Sequence, residues 1–209
     1  NNNGLWENHK IGEEATPEAW EVNKDLVLDF YNQRRKQLFE VEPNDAHKAL
    51  VRLEEEFNIH IITQNVDDLH ERAGSSHVMH LHGELKKVRS TLDSGLIYDL
   101  EGWELKVGDT CEKGSQLRPH IVWFGEEVPN ISLASEIVSS ADCLIVVGTS
   151  LNVYPAAGLL NEVRPNIPIY LIDPFDVDTS YIRDVRIIKA NAGDGLTRLV
   201  NELLENNKK

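Results

Sequence analysis

The chain has 209 residues, 41% of them hydrophobic, which suffices for one well-buried core carrying a small insert. Its 35 acidic residues outnumber 21 basic ones, and the formal charge of -14 would repel phosphate backbones, so nucleic acid is excluded as an expected partner. No stretch approaches the roughly 20 consecutive apolar residues of a membrane span, the opening lacks the basic and apolar regions of a signal peptide, and two cysteines, Cys111 and Cys143, cannot build a disulfide framework; the expectation is a soluble cytoplasmic protein with no membrane partner.

Thr16-Pro17-Glu18 reads as a helix start, with a capping hydroxyl and proline at the first helical position, and Leu26, Val27, Phe30 and Tyr31 continue a helix to about residue 39. Pro43-Asn44 breaks it. Ala46, Leu50, Leu53 and Phe57 then mark one face of a second helix ending near Asn58. Ile59 to Thr63 is short and β-branched, so it predicts a buried strand. Comparable apolar runs return at Ile121 to Phe124, Leu144 to Val147, Pro168 to Ile172 and Val185 to Lys189, with helical patterns at Ser132 to Ser140, Ala156 to Val163 and Gly195 to Glu205 and a fraying tail at Asn206 to Lys209. Strands alternating with helices predict an α/β fold, a doubly wound parallel sheet of Rossmann-like type. Residues 84–118 break this rhythm and read as a small inserted module, leaving 1–83 and 119–209 as the main domain.

In such a sheet, ligands bind beyond the carboxyl ends of the strands. Two polar segments stand there: Thr63-Gln64-Asn65-Val66-Asp67-Asp68-Leu69-His70, and Gly148-Thr149-Ser150. Either alone could be an ordinary capped turn. Between them, Met79-His80-Leu81-His82-Gly83 would point His80 and His82 to one face if extended. A histidine pair without an obvious third ligand makes a poor metal site, and no metal is expected; imidazole does suit proton transfer near neutral pH, with an unperturbed pKa of about 6.5.

Taken in order, Thr63 to Gly74, His80-Leu81-His82-Gly83, Trp123-Phe124-Gly125-Glu126, and Gly148-Thr149-Ser150 with Val153-Tyr154-Pro155-Ala156-Ala157 resemble the motifs of the sirtuin family over essentially the whole chain. The resemblance implies an NAD-dependent enzyme that removes acyl groups from lysine. It implies His82 as general base toward a ribose hydroxyl of NAD, with Asn65 beside it in the catalytic set. Gln64, Asn65 and Asp67 would line nicotinamide and its ribose, and Gly148, Thr149, Ser150, Asp173 and Ala192 would meet the rest of the cofactor. Val122, Phe124, Gly125 and Glu126 on one side, and Asn152, Val153 and Tyr154 on the other, would supply backbone edges that pin an acylated peptide as an added strand.

Tyr31 and Arg34, three apart on a helix, share a face. By themselves they read as a core-edge aromatic beside a basic patch, Arg34-Arg35-Lys36. They also resemble the Tyr-x-x-Arg pair of sirtuins that act on succinyl, malonyl or glutaryl lysine, in which the guanidinium grips the distal carboxylate.

Three departures from the family pattern carry expectations. Most sirtuins hold a structural zinc with four cysteines in the small module, whereas residues 84–118 contain Cys111 alone, with Ser90 at a place where a first ligand is expected; the module is expected to lack zinc and to pack through Leu96, Ile97, Leu100, Trp103 and Val107. The opening Asn3-Gly4-Leu5-Trp6 resembles a point inside the family pattern, so a first strand and its glycine-rich phosphate loop are expected to be missing from the chain as written. Asp173 stands where many relatives have asparagine near the adenosine ribose, and its carboxylate would oppose a 2′-phosphate, favouring NAD over NADP. Two rival readings stay open: mono-ADP-ribosyl transfer, and a module that binds acyl-lysine or ADP-ribose without turnover.

Overall fold

Local capping sets the first helices in a computed structural model that describes residues 14–208. The Thr16 hydroxyl accepts from the Ala19 amide at 3.1 Å and Pro17 begins α1 (Pro17–Val22). The single long helix expected from the sequence is instead two. Asn23 interrupts it, donating its backbone N–H to the Ala19 carbonyl while its side chain caps α2 (Lys24–Leu38) at the Leu26 amide. In α3 (Asp45–Leu53), Asn44 and His47 form a reciprocal capping pair at 3.0 and 3.2 Å. This helix stops at Leu53, short of the expected Asn58, where Glu54, Glu55 and Glu56 would place three negative charges at a helix C-terminus; Phe57 is exposed.

The described residues form two compact units: residues 14–41, Asn65–Asp68 and His82–Val128 in the first, and Glu42–Gln64, Leu69–Leu81 and residues 129–208 in the second. The first unit is therefore larger than the expected insert at 84–118, because α2 and the turn at Trp123 belong with it. Its sheet is antiparallel, in the order β4 (Ile97–Asp99), β3 (Gly83–Ser90), β5 (Leu117–Ile121). The strand expected at Ile121 to Phe124 lies earlier. The polar run Arg118-Pro119-His120 forms it, with Pro119 tolerated because β5 is an edge strand.

The second unit holds two parallel sheets. One pairs β1 (Ile61–Thr63) with β2 (Val78–His80); the other runs β6 (Leu144–Val147), β7 (Ile169–Asp173), β8 (Val185–Lys189), close to the expected positions. Helices α4 (Leu69–Ala73), α5 (Ile131–Ser140) and α6 (Ala192–Asn207) and a 3-10 helix at Ala156–Glu162 complete it. Its core is built from Ala46, Ala49 and Leu53 of α3, Ile172 of β7, and Leu196, Leu199 and Val200 of α6. The approach is close: a methyl group on Gly195 would lie 2.4 Å from Ile172 Cγ2. Helix α6 runs through Asn206 and Asn207, where the sequence predicts fraying. Lys209, and the Asn3 to Trp6 opening on which the N-terminal expectation rests, lie outside the described residues. Parallel strands with covering helices make this an α/β Rossmann-like fold, and no described helix is long and apolar enough to cross a membrane.

Candidate active site

The predicted residues divide between the units. Tyr31, Arg34, Asn65, Asp67, His82, Val122, Phe124, Gly125 and Glu126 fall in the first; Gln64, Gly148, Thr149, Ser150, Asn152, Val153, Tyr154, Asp173 and Ala192 fall in the second.

In the first unit, Asn65 to Asp68 is tied to the start of β3. The Val66 carbonyl accepts from the Leu85 amide at 2.7 Å, and the Asp68 carboxylate pairs with Lys86. His82 is partly buried in the turn before β3, with its carbonyl accepting from the Val122 amide at 2.9 Å. Gly83 fixes that turn: its φ is +92, and a Cβ there would stand 2.0 Å from the His120 carbonyl oxygen. The glycine at this place therefore follows from backbone contact alone.

His80 does not share a face with His82 as the alternation suggests. Strand β2 ends at His80, a turn through Leu81 follows, and the two imidazoles belong to different units. His80 is buried and its Nε2 meets Glu71 Oε1 at 2.6 Å. Burial pushes the Glu71 carboxyl up, but the hydrogen bond and charge of His80 outweigh it and hold it below its ordinary value.

Tyr31 is fully buried on α2, with its ring edge-on to Phe30, and its hydroxyl accepts from the Trp123 indole N–H at 3.1 Å. Burial drives its pKa far above the ordinary phenol value, so the hydroxyl keeps its proton. Arg34, one turn on, lies over the Phe30 ring at 5.2 Å, and its buried Nε has no hydrogen-bond partner among the described residues. The adjacent Arg35 serves otherwise. It is completely buried and donates to the Leu85 and Trp103 carbonyls, each at 2.6 Å, and to Asn32 Oδ1 at 2.8 Å. Sequence alone groups Arg35 with a solvated basic patch; desolvation instead lowers its pKa to about 10, the mark of a cation held inside.

Trp123 to Glu126 is a turn. Glu126 Oε1 accepts from the Trp123 amide at 2.7 Å, and both carboxylate oxygens are held by Arg118 at 2.8 and 2.9 Å. The Glu126 side chain is thus occupied internally, while Phe124 and Gly125 are exposed. Sequence reasoning does not single out Arg118, since an arginine before proline carries no periodic signal.

At the second unit's strand ends, Gly148 follows β6 with φ +60 and open space within 4 Å of where a methyl group would stand, and the Thr149 hydroxyl accepts from the Leu151 amide at 3.1 Å. Asp173 closes β7, buried, with Oδ1 accepting from the Phe175 amide at 2.8 Å. Ala192 is the first residue of α6, which Asn191 caps at the Asp194 amide. Asn152, Val153 and Tyr154 are exposed.

The residues of the small module do not fit a zinc ion. The Ser90 hydroxyl accepts from the Leu92 and Asp93 amides at 3.1 and 3.2 Å and takes the Cys111 thiol at 3.4 Å, while Lys113 neutralises Asp93 at 2.7 Å. One thiol, one hydroxyl and a carboxylate already bound to an ammonium do not make a tetrahedral site, and no group of three or more ligating side chains gathers around Cys111 among the described residues. The packing expected of this module also changes: Ile97 and Val107 are exposed, while Leu85, Val88 and Leu105 are buried.

Comparison with known proteins agrees with this architecture. The Sir2 family profile matches residues 1–155. An NAD-dependent protein deacylase of Bacteroides thetaiotaomicron is 50% identical over 206 residues, covering 96% of this chain and 88% of the relative, and one of Helicobacter pylori is 52% identical over 202 residues, covering 97% and 86%. Among solved structures, a Sir2 homologue in complex with ADP-ribose superposes with a TM-score of 0.89 at 37% identity, covering 99% of this chain and 84% of the other; a Sir2 homologue in complex with NAD gives 0.87 at 38%, covering 98% and 81%. This chain belongs to the Sir2 family.

Proposed function

We propose that this chain, an NAD-dependent protein deacylase, prefers lysine side chains bearing succinyl or malonyl groups, with acetyl a poorer substrate. One water is consumed, and the products are nicotinamide, O-acyl-ADP-ribose and free lysine. NAD is the cosubstrate and acylated lysine in proteins or peptides the partner.

In this reading the acyl oxygen attacks the anomeric carbon of the nicotinamide ribose as the bond to nicotinamide breaks, and His82 accepts the proton of a ribose hydroxyl. Gln64, Asn65 and Asp67 hold nicotinamide and its ribose where positive character develops at the anomeric carbon. Gly148, Thr149, Ser150, Asp173 and Ala192 meet the remainder of NAD; an open Cα face at Gly148 and a helix N-terminus at Ala192 suit a phosphorylated ligand. Asp173, with one oxygen committed to its own loop, keeps the other for a ribose hydroxyl and disfavours NADP. The backbone at Val122, Phe124, Gly125 and Glu126, and at Asn152, Val153 and Tyr154, pairs with the peptide. The small module works without zinc.

A single observation supports the acyl preference: on the same helical turn as the buried, un-ionised Tyr31, Arg34 carries a buried Nε with no hydrogen-bond partner among the described residues. A carboxylate would satisfy that donor, and a charge-assisted contact of this kind contributes roughly 1.5 to 3 kcal/mol. Acetyl forfeits it. Arg34→Met is expected to lower kcat/KM for a succinyl-lysine peptide by about ten- to a hundredfold and leave that for the acetyl peptide nearly unchanged. Peptide mass and nicotinamide release, followed together with acetyl, malonyl and succinyl peptides, test both levels: equal loss on all three refutes the pocket, and a peptide mass gain equal to ADP-ribose refutes deacylation.

A further inference from the structure

We propose that Arg118 is a positioning residue that joins the peptide-binding edge to the acyl pocket, an inference that rests on the substrate roles proposed above for Phe124, Gly125 and Tyr31. Five contacts carry it. The Arg118 guanidinium grips both oxygens of Glu126, at 2.8 and 2.9 Å, and donates to the Ile121 carbonyl at 2.9 Å, so it ties the end of β5 to the last residue of the turn. Glu126 in turn accepts from the Trp123 amide at 2.7 Å, closing the turn on itself. The face of the same guanidinium lies 3.4 Å from the centre of the Trp123 ring. The edge of that ring donates its N–H to the Tyr31 hydroxyl at 3.1 Å.

One planar cation thus uses its rim for the backbone turn and its face for the indole. The turn presents Phe124 and Gly125, whose backbone is the proposed peptide edge, and the indole holds the phenol proposed to meet the acyl group. Lysine could supply the charge but neither the two-pronged grip nor the flat stack, since its ammonium is a point donor on a flexible stem. Arg118 is 9% exposed and Arg89 reaches the same Glu126 carboxylate only at 3.5 Å, so the second cation cannot replace the first without moving the turn. Trp123 is the relay: at 2% exposure its ring has no room to rotate, and its N–H fixes where the Tyr31 oxygen stands.

Steady-state kinetics with succinyl-lysine and acetyl-lysine peptides, on wild type, Arg118→Lys and Trp123→Phe, test this. Arg118→Lys is expected to raise KM for both peptides at least fivefold with KM for NAD within twofold of wild type. Trp123→Phe keeps a ring for Arg118 to stack on and removes the N–H; it is expected to raise KM for the succinyl peptide at least threefold and to leave the acetyl peptide within twofold. Unaltered peptide KM in Arg118→Lys overturns the proposal, as does a parallel rise in KM for NAD, which would mean general loosening of the unit. Equal effects of Trp123→Phe on both peptides overturn the relay to Tyr31. A wild-type protein that releases no nicotinamide with either peptide sinks the deacylase reading itself, an outcome distinct from all of these.

Discussion

A methyl group on Gly83 has nowhere to go, because the nearest obstacle is a backbone carbonyl and the φ of +92 is one that side chains avoid. Gly83→Ala is expected to destabilise the protein by more than about 3 kcal/mol, seen as a large drop in melting temperature or in soluble yield. Glu126 yields a pH prediction. Burial pushes its carboxyl up, but hydrogen bonds from Arg118 and the Trp123 amide, with the charges of Arg118 and Arg89, hold it below its ordinary value of 4.5. A carboxylate with a depressed folded-state pKa stabilises the fold fully above the unfolded value and loses that contribution as pH falls through the folded one. The melting-temperature gap between wild type and Glu126→Gln should therefore be widest above pH 4.5 and close below it; a gap independent of pH would contradict this. At this scale the sequence is readable where spacing is helical, and Tyr31 and Arg34 do fall on one turn of α2. It misleads where identical residue types sit side by side, since nothing in Arg34-Arg35 tells which guanidinium is buried against carbonyls and which keeps a donor unused.

Between elements, α2 and the small module are joined by polar contacts that periodicity does not reveal. The Asn32 amide donates to the Leu105 carbonyl and accepts from the Leu105 amide, both at 2.9 Å, and Arg35 adds its two carbonyl contacts beside it. Magnitudes decide what holds the module. A structural zinc supplies roughly 10 to 16 kcal/mol, whereas the exposed ion pair of Lys113 with Asp93 is screened by solvent and supplies far less. On the proposed zinc-free reading, the buried attachment through Asn32 and Arg35 contributes more to holding the module than the exposed pair does. Arg35→Met is expected to cost about 2 to 4 kcal/mol in urea unfolding, leaving buried carbonyls unpaired, while Asp93→Asn, at a solvent-screened pair, leaves the unfolding midpoint nearly unchanged. The strands of the second unit are legible because their apolar runs are short and bounded. The antiparallel sheet of the first is not, because Lys86-Lys87 and Arg118-Pro119 look like loop until their pairing partners are known.

For the molecule as a whole, the proposal that the module works without zinc predicts that prolonged exposure to a strong chelator leaves both melting temperature and nicotinamide release unchanged, with no zinc found by elemental analysis; loss of either on chelation would contradict it. The overall fold class follows from alternating strands and helices, and the grouping of residues into two units does not, because it depends on contacts between segments far apart in the chain. Among the described residues the buried charges balance, Arg35 and Arg118 against Glu14 and Asp173, so the formal charge of -14 is carried by the accessible surface. Such a field speeds the encounter with cationic chains and slows it with anionic ones. Targets whose modified lysine is flanked by unmodified lysines should be captured faster than those flanked by glutamates, and added salt should erase the difference.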